Sequence, residues 1–292
     1  MVDATQMIEA GSSGLVMLSG GPDSVALLAG ISAAIAGQPT VALHLNYGLR
    51  PESDGDQKLC EDLCDELGIE LTVERAGPPE GNVQAWARDL RYSAAEALRQ
   101  ERDLDWIAVG HTLDDVAETV LYRLASSPGR RAFAAMAARR GSLIRPILAL
   151  RRSQTRNLVS QAGLAFTDDR SNHDPAFARV RIRHEVVPPL ETINPAAVTN
   201  IARTREEVLE EGALLEDLAA SLLEEMLGPD GWLDSQPLLE QHPALRRIVL
   251  RQLAQLQLGR GVPVTIDLAR EAFRLAGDSE GGSIDLGGGG SF

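Results

Sequence analysis

The chain has 292 residues, 44% of them apolar, which suits roughly two packed domains and excludes global disorder. Its net charge of −14 argues at first against a polyanionic partner, and Met1 to Gly14 is neither basic nor strongly apolar, unlike a secretory leader. The longest near-apolar run, Val25 to Gly37, falls short of the roughly 20 residues of a bilayer span, so a cytoplasmic protein with no membrane partner is expected.

The apolar stretch Leu15–Ser19 predicts a buried strand, and Pro22–Ala36 predicts a helix. Between them stands Ser19-Gly20-Gly21-Pro22-Asp23-Ser24. Two glycines permit a sharp turn and a close backbone approach, and Pro22 suits the first helical turn. The free N–H groups and positive dipole end of the helix then favour an anion, with Ser19 and Ser24 adding hydroxyls. Asp23 fits beside a phosphate if a metal ion lies between them. A common P-loop would need a following Lys, and the chain's only Lys is Lys58.

Further strands are expected at Val41–Asn46, Ile69–Glu74, Trp106–Gly110 and Leu143–Ile147, and helices at Asp54–Leu67, Asn82–Arg102, Leu113–Leu124 and Ser153–Ala162. This alternation predicts an α/β fold: a parallel, Rossmann-like sheet covered on both faces, with ligands beyond the carboxyl ends of its strands. His44, near the end of the second strand, reads either as a nucleotide contact or as a hydrogen-bonded edge residue. Cys60 and Cys64 share a helix face but fall short of a metal set. Arg88 and Arg91 share a face and meet either phosphates or water. In Gly110-His111-Thr112-Leu113-Asp114-Asp115-Val116-Ala117-Glu118-Thr119, a helix start would crowd Asp114, Asp115 and Glu118 on one face. First-turn acids are also ordinary helix chemistry.

Charge is distributed unevenly. Thr119 to Thr167 holds no acid and nine arginines: Arg123, Arg130, Arg131, Arg139, Arg140, Arg145, Arg151, Arg152 and Arg156. Glu206 to Leu245 holds eleven acids and no Lys or Arg. The basic stretch suits a phosphate backbone, or else a face paired with the acidic helices. Beyond Asp168-Asp169-Arg170-Ser171-Asn172-His173-Asp174, the alternation of Arg179, Arg181 and Arg183 suggests an extended segment with all three on one side. Long helical patterns follow at Ala196–Leu227 and Leu238–Leu256, and Gly277–Phe292 reads as a short hairpin or a frayed end. The expected domains are 1–190, the nucleotide-binding catalytic part, and 191–292, helical with a Gly-rich tail.

S-G-G-P-D-S resembles the signature of the PP-loop ATPases, which split ATP between its α- and β-phosphates. Together with G-H-T-L-D-D-V-A-E-T, Arg145-Pro146, the D-x-S-N-x-D set, and Arg179, Arg183 and His184, the chain resembles the tRNA(Ile)-lysidine synthetases over about residues 14 to 190. Members often have Asn where this chain has Val180. The resemblance implies ATP and Mg²⁺ as cofactors, and isoleucine tRNA and free L-lysine as partners, with a homodimer left open. It implies that the wobble cytidine is adenylated and that lysine then displaces AMP. Ser19, Gly20, Gly21, Pro22, Asp23, Ser24 and His44 would bind ATP, and Asp23, Asp114 and Asp115 the metal. Asp23, His111, Asp114, Asp115 and Glu118 would be catalytic; Arg130, Arg131, Arg139, Arg140, Arg179 and Arg183 would hold tRNA. Cytidine 2-thiolation on the same scaffold would need sulfur-handling cysteines, usually C-x-x-C. A non-catalytic nucleotide-binding module would not need the Asp114, Asp115 and Glu118 cluster.

Overall fold

The computed structural model describes residues 7–35, 37–49, 51–77, 81, 83–127, 129–134, 136–168, 177–228, 233, 235–259, 264–276, 285–287 and 290–291. The chain divides into two compact units, Met1–Arg205 and Glu206–Phe292. In the first, a six-stranded sheet runs β3–β2–β1–β4–β6–β5. Its strands are β1 (Gly14–Met17), β2 (Thr40–Asn46), β3 (Glu70–Arg75), β4 (Trp106–Ala108), β5 (Arg139–Arg140) and β6 (Leu143–Ile144). All pairings are parallel except that of β5 with β6. The helices α1 (Pro22–Ala34), α2 (Ser53–Leu67), α3 (Val83–Glu101), α4 (Leu113–Ser126) and α5 (Arg152–Gln161) alternate with them.

β1 is buried along its whole length because both faces of a parallel sheet are covered. Its alternate residues part to opposite sides. Val16 and Leu18 join Val25, Leu28, Cys60 and Val159 of α1, α2 and α5, while Leu15 and Met17 join Ala94, Ala95 and Leu98 of α3. The predicted elements are present with shifted ends, and three features differ from expectation. The two-residue strand β5 is too short for periodicity to detect. The pattern Leu238–Leu256 is two helices, α9 (Ser235–Leu239) and α10 (Pro243–Leu258), because Pro243 opens a new helix at its first turn. The arginine alternation does not mark an extended segment: α6 (Ala178–Arg181) runs through a π-helical turn, Ile182–Val186, into α7 (Val187–Ile193). Val180 is buried there, so an apolar side chain suits the position.

The second unit packs the later part of α8 (Ala197–Met226) with α9 and α10 around Ala219, Leu223, Leu238, Val249 and Leu253, with Phe273 of α11 (Ile266–Ala276) against them. β7 (Asp285–Gly287) and β8 (Gly290–Ser291) form a short antiparallel pair. Among the described residues no helix is long and apolar enough to cross a membrane.

Gly14 is fixed by close approach. It pairs with Trp106 across β1 and β4, and a Cβ there would lie 2.1 Å from the indole, which is 2% exposed. Gly14→Ala should therefore destabilise the first unit by about 1–3 kcal/mol, read as a lower urea midpoint at unchanged m-value.

Candidate active site

β1 and β4 are neighbours, yet the chain leaves β1 towards β2 on its other side. That reversal of strand order opens a crevice at the carboxyl ends of the two strands. The turn after β1 lines it. Gly20 has φ +84°, and its carbonyl accepts from the Thr167 N–H at 2.8 Å. Gly21 caps α1 in extended conformation, and Pro22 opens the helix. The Ser24 hydroxyl donates to the Gly21 carbonyl at 2.9 Å and accepts from the Ser19 N–H at 3.1 Å. Ser24 is thus the internal strut of the turn, and the hydroxyl of the exposed Ser19 lies 3.1 Å from its own. The opposite wall begins at Gly110, where a Cβ would lie 3.2 Å from the backbone of Asp23 and Ser24. The absence of a side chain lets the two turns meet.

α4 then sets its carboxylates against α5. Asp115 accepts from the Thr112 N–H and hydroxyl, both at 2.8 Å, and so closes the helix start. Asp114 accepts from the Arg151 guanidinium and, at 2.8 Å, from the Arg152 N–H, capping α5 from a distance. The Arg152 guanidinium bridges Asp115 and Glu118, and its Nε lies 3.8 Å from Asp23. Glu118, 2% exposed, also receives Arg183 at 2.9 Å. Arg151 holds Glu191 as well, at 2.7 Å. Burial pushes the Asp23 carboxyl up, with Asp115 adding to the effect against the hydrogen bond from Thr155. Burial acts on Asp115 in the same sense, but the Arg152 charge and the Thr112 bonds outweigh it and hold that carboxyl low.

His111 follows Gly110. Arg145 Nε, which can only donate, lies 3.1 Å from His111 Nδ1. Nδ1 must therefore accept, which leaves the proton on Nε2. Burial, with the charges of Arg145 and Arg88 adding to it, brings the imidazole down to about 4 despite Asp115. The ring is a neutral donor at physiological pH.

Asp23, Asp114, Asp115 and Glu118 therefore share one network beside the phosphate turn, and His111 lies within reach of the Asp115 charge. His44 lies inside the fold: 4% exposed, it donates from Nδ1 to the Leu18 carbonyl at 2.9 Å and lies 3.3 Å from Cys60 Sγ. Arg179 and Arg183 turn onto α4, donating to Thr119 and Glu118. Arg139 and Arg140 are exposed, and Arg139 donates to the Met7 carbonyl. Arg130 and Arg131 lie on a 3-10 turn, and the Arg131 side chain and Asp169 to Asp174 fall outside the described residues. Sequence reading missed Arg145, Arg151 and Arg152 as site residues because they sit in a uniformly basic stretch. Thr155, which donates to Asp23 and is fully buried, gave only the faint signal of a hydroxyl at an apolar helix position.

Residues 3–190 match the protein family described as a PP-loop domain. The chain is 39% identical over 282 residues to the tRNA(Ile)-lysidine synthase of Rhodococcus erythropolis, covering 94% of this chain and 83% of that one. It is 35% identical over 283 residues to the enzyme of the same name from Thermobifida fusca, covering 93% and 85%. Among solved structures, the U34-tRNA thiolase NcsA from Methanococcus maripaludis superimposes with a TM-score of 0.61 at 18% identity, over 70% of this chain and 75% of that one, a likeness of fold.

Two outcomes follow from the geometry. Arg152→Met leaves Asp115 and the buried Glu118 short of a cation and should cost about 3–5 kcal/mol in denaturant unfolding. His111 titrates at about 4 in the fold and near 6.5 when unfolded, so between those values the unfolded chain takes up a proton that the fold refuses. Its contribution is complete above pH 6.5 and falls as pH drops towards 4, by up to about 3 kcal/mol. His111→Gln should flatten that part of the stability–pH curve relative to the wild type.

Proposed function

Because this chain belongs to the tRNA(Ile)-lysidine synthase family, we propose that it joins free lysine to C2 of the wobble cytidine of an isoleucine tRNA with a CAU anticodon, consuming ATP. The observation that carries the reading is the seat of Arg152, a cation held by Asp115 and Glu118 beside the phosphate turn. The carboxylates that hold this guanidinium also present the negative charge that attracts the ammonium of lysine.

In the first step the cytosine O2 attacks the α-phosphate and pyrophosphate leaves. The turn Ser19 to Ser24 holds the phosphates through its backbone N–H groups, which the helix start leaves without intrahelical acceptors. His111 donates from Nε2 as a neutral imidazole to charge developing on the phosphoryl oxygens. In the second step the lysine amine attacks C2 and AMP departs. The ammonium of lysine is drawn to the negative charge of Asp115 and Glu118 and must shed a proton before attack, since only the free amine is a nucleophile.

Mg²⁺ would arrive with the ATP phosphates and offset charge on the departing pyrophosphate. Asp23 fits it, because its Oδ2 has Arg152 Nε only at 3.8 Å. Asp114 and Asp115 do not fit, since all four of their oxygens accept hydrogen bonds. Among the described residues no group of three His, Cys, Asp or Glu side chains is placed to hold a metal. Sulfur transfer is the weaker reading: Cys60 and Cys64 are at most 1% exposed, and burial raises their thiols to about 12 and about 11.

Purified protein incubated with ATP, labelled lysine and total tRNA should place label in the isoleucine tRNA; ATP turnover without label in RNA would overturn the assignment. Phosphate contacts are assigned to Arg130, Arg131, Arg139 and Arg140. Changing the exposed Arg139 and Arg140 to Ala should lower the slope of log affinity against log salt by about 1.5, at unchanged ATP affinity.

A further inference from the structure

A second cluster stands at the carboxyl edge of the sheet, outside the carboxylate network. The C-terminal half of α3 packs Ala94, Ala95 and Leu98 onto β1, β2 and β4, so its N-terminal half overhangs that edge. There the half-buried Trp86 meets Tyr47, which follows β2. Their ring centroids are 5.8 Å apart with planes at 63°. Tyr47 is fixed in place: its hydroxyl donates to the Ala87 carbonyl at 3.1 Å and accepts from Arg91 Nε at 3.1 Å. The Arg91 guanidinium carbon lies 6.0 Å from the Tyr47 ring centre, and that of Arg88 lies 4.9 Å from the centre of Tyr92.

The chain has only three Trp and three Tyr, so two of them paired at a half-exposed spot are not explained by composition. Arg88 and Arg91 are exposed, and among the described residues neither has a carboxylate partner. The cluster also adjoins the site, since the charge of Arg88 reaches His111.

We propose that Trp86 and Tyr47, with Arg88 and Arg91 alongside, form a stacking platform for an unpaired nucleobase of the RNA substrate, a base of the anticodon loop next to the modified cytidine. Loop bases are unstacked and present π faces, while their phosphates suit unpaired guanidiniums, so rings and cations together match single-stranded RNA. The proposal rests on the tRNA reading above and adds the residues that would hold the loop open.

Trp86→Leu keeps apolar bulk but removes the ring, and Trp86→Phe keeps a ring. Binding of an anticodon stem-loop RNA carrying CAU, measured by fluorescence anisotropy, should weaken roughly 5- to 150-fold in the Leu variant and stay close to wild type in the Phe variant. The salt slope and ATP affinity should not change, because no charge is removed. Equal RNA affinity in a folded Leu variant overturns the platform. So does weakened ATP binding with RNA affinity intact, which would make the cluster an adenine contact. Should the Leu variant fail to fold, 2-aminopurine placed beside the cytidine gives the reading on the wild type: quenching on binding supports stacking, and unchanged fluorescence overturns it. A wild type that neither binds the stem-loop nor transfers lysine defeats the tRNA reading and the platform together. A wild type that transfers lysine while the Leu variant binds equally well defeats the platform alone.

Discussion

Four carboxylates meet at one end of this sheet, and Arg152 is what allows them to do so. Asp23, Asp114 and Asp115 come from the first turns of α1 and α4, two helix starts that Gly110 brings together, and Glu118 from the next turn of α4. Like charges at that spacing, half or fully removed from water, would drive protons onto one another. The guanidinium between Asp115 and Glu118, with Arg151 on Asp114 and Arg183 on Glu118, sets positive charge among them and holds the Asp115 carboxyl low. The same pairs fasten α5 and the π-turn segment to α4, so one electrostatic constraint both poises the chemistry and closes the unit around it.

The arginine-rich stretch takes on a different meaning in three dimensions. Arg145 fixes the tautomer of His111, Arg151 and Arg152 bind the carboxylates, and Arg156 pairs with Asp168. Arg139 and Arg140 remain facing solvent. A stretch that reads as one basic face therefore divides into a set engaged with side chains of the fold and a pair that faces solvent. An acidic protein can in this way keep a basic surface where it needs one.

The phosphate turn is legible in the sequence because its determinants are local: two glycines, a proline and an acid between an apolar strand and an apolar helix. The order of strands and helices is legible for the same reason, from periodicity alone. The partners of the site carboxylates are not, because Asp114 and Arg151 lie far apart in the chain and no local pattern joins them. His44 shows the opposite failure. A polar residue near a strand end looks available to a ligand, yet its face of β2 turns inward to Leu18 and Cys60. The helical placement of Arg179 and Arg183 escaped notice because alternation was read with a strand's period, whereas at i and i+4 both meet α4.

The outermost strand on one side, β5, consists of nothing but Arg139 and Arg140, both exposed. An open sheet edge offers unpaired backbone groups to any passing strand, and two residues bearing two charges make a poor template for such pairing. The two exposed charges thus guard the end of the sheet against a second copy adding to it edge to edge, a duty that rests on their place in the fold whatever else they bind.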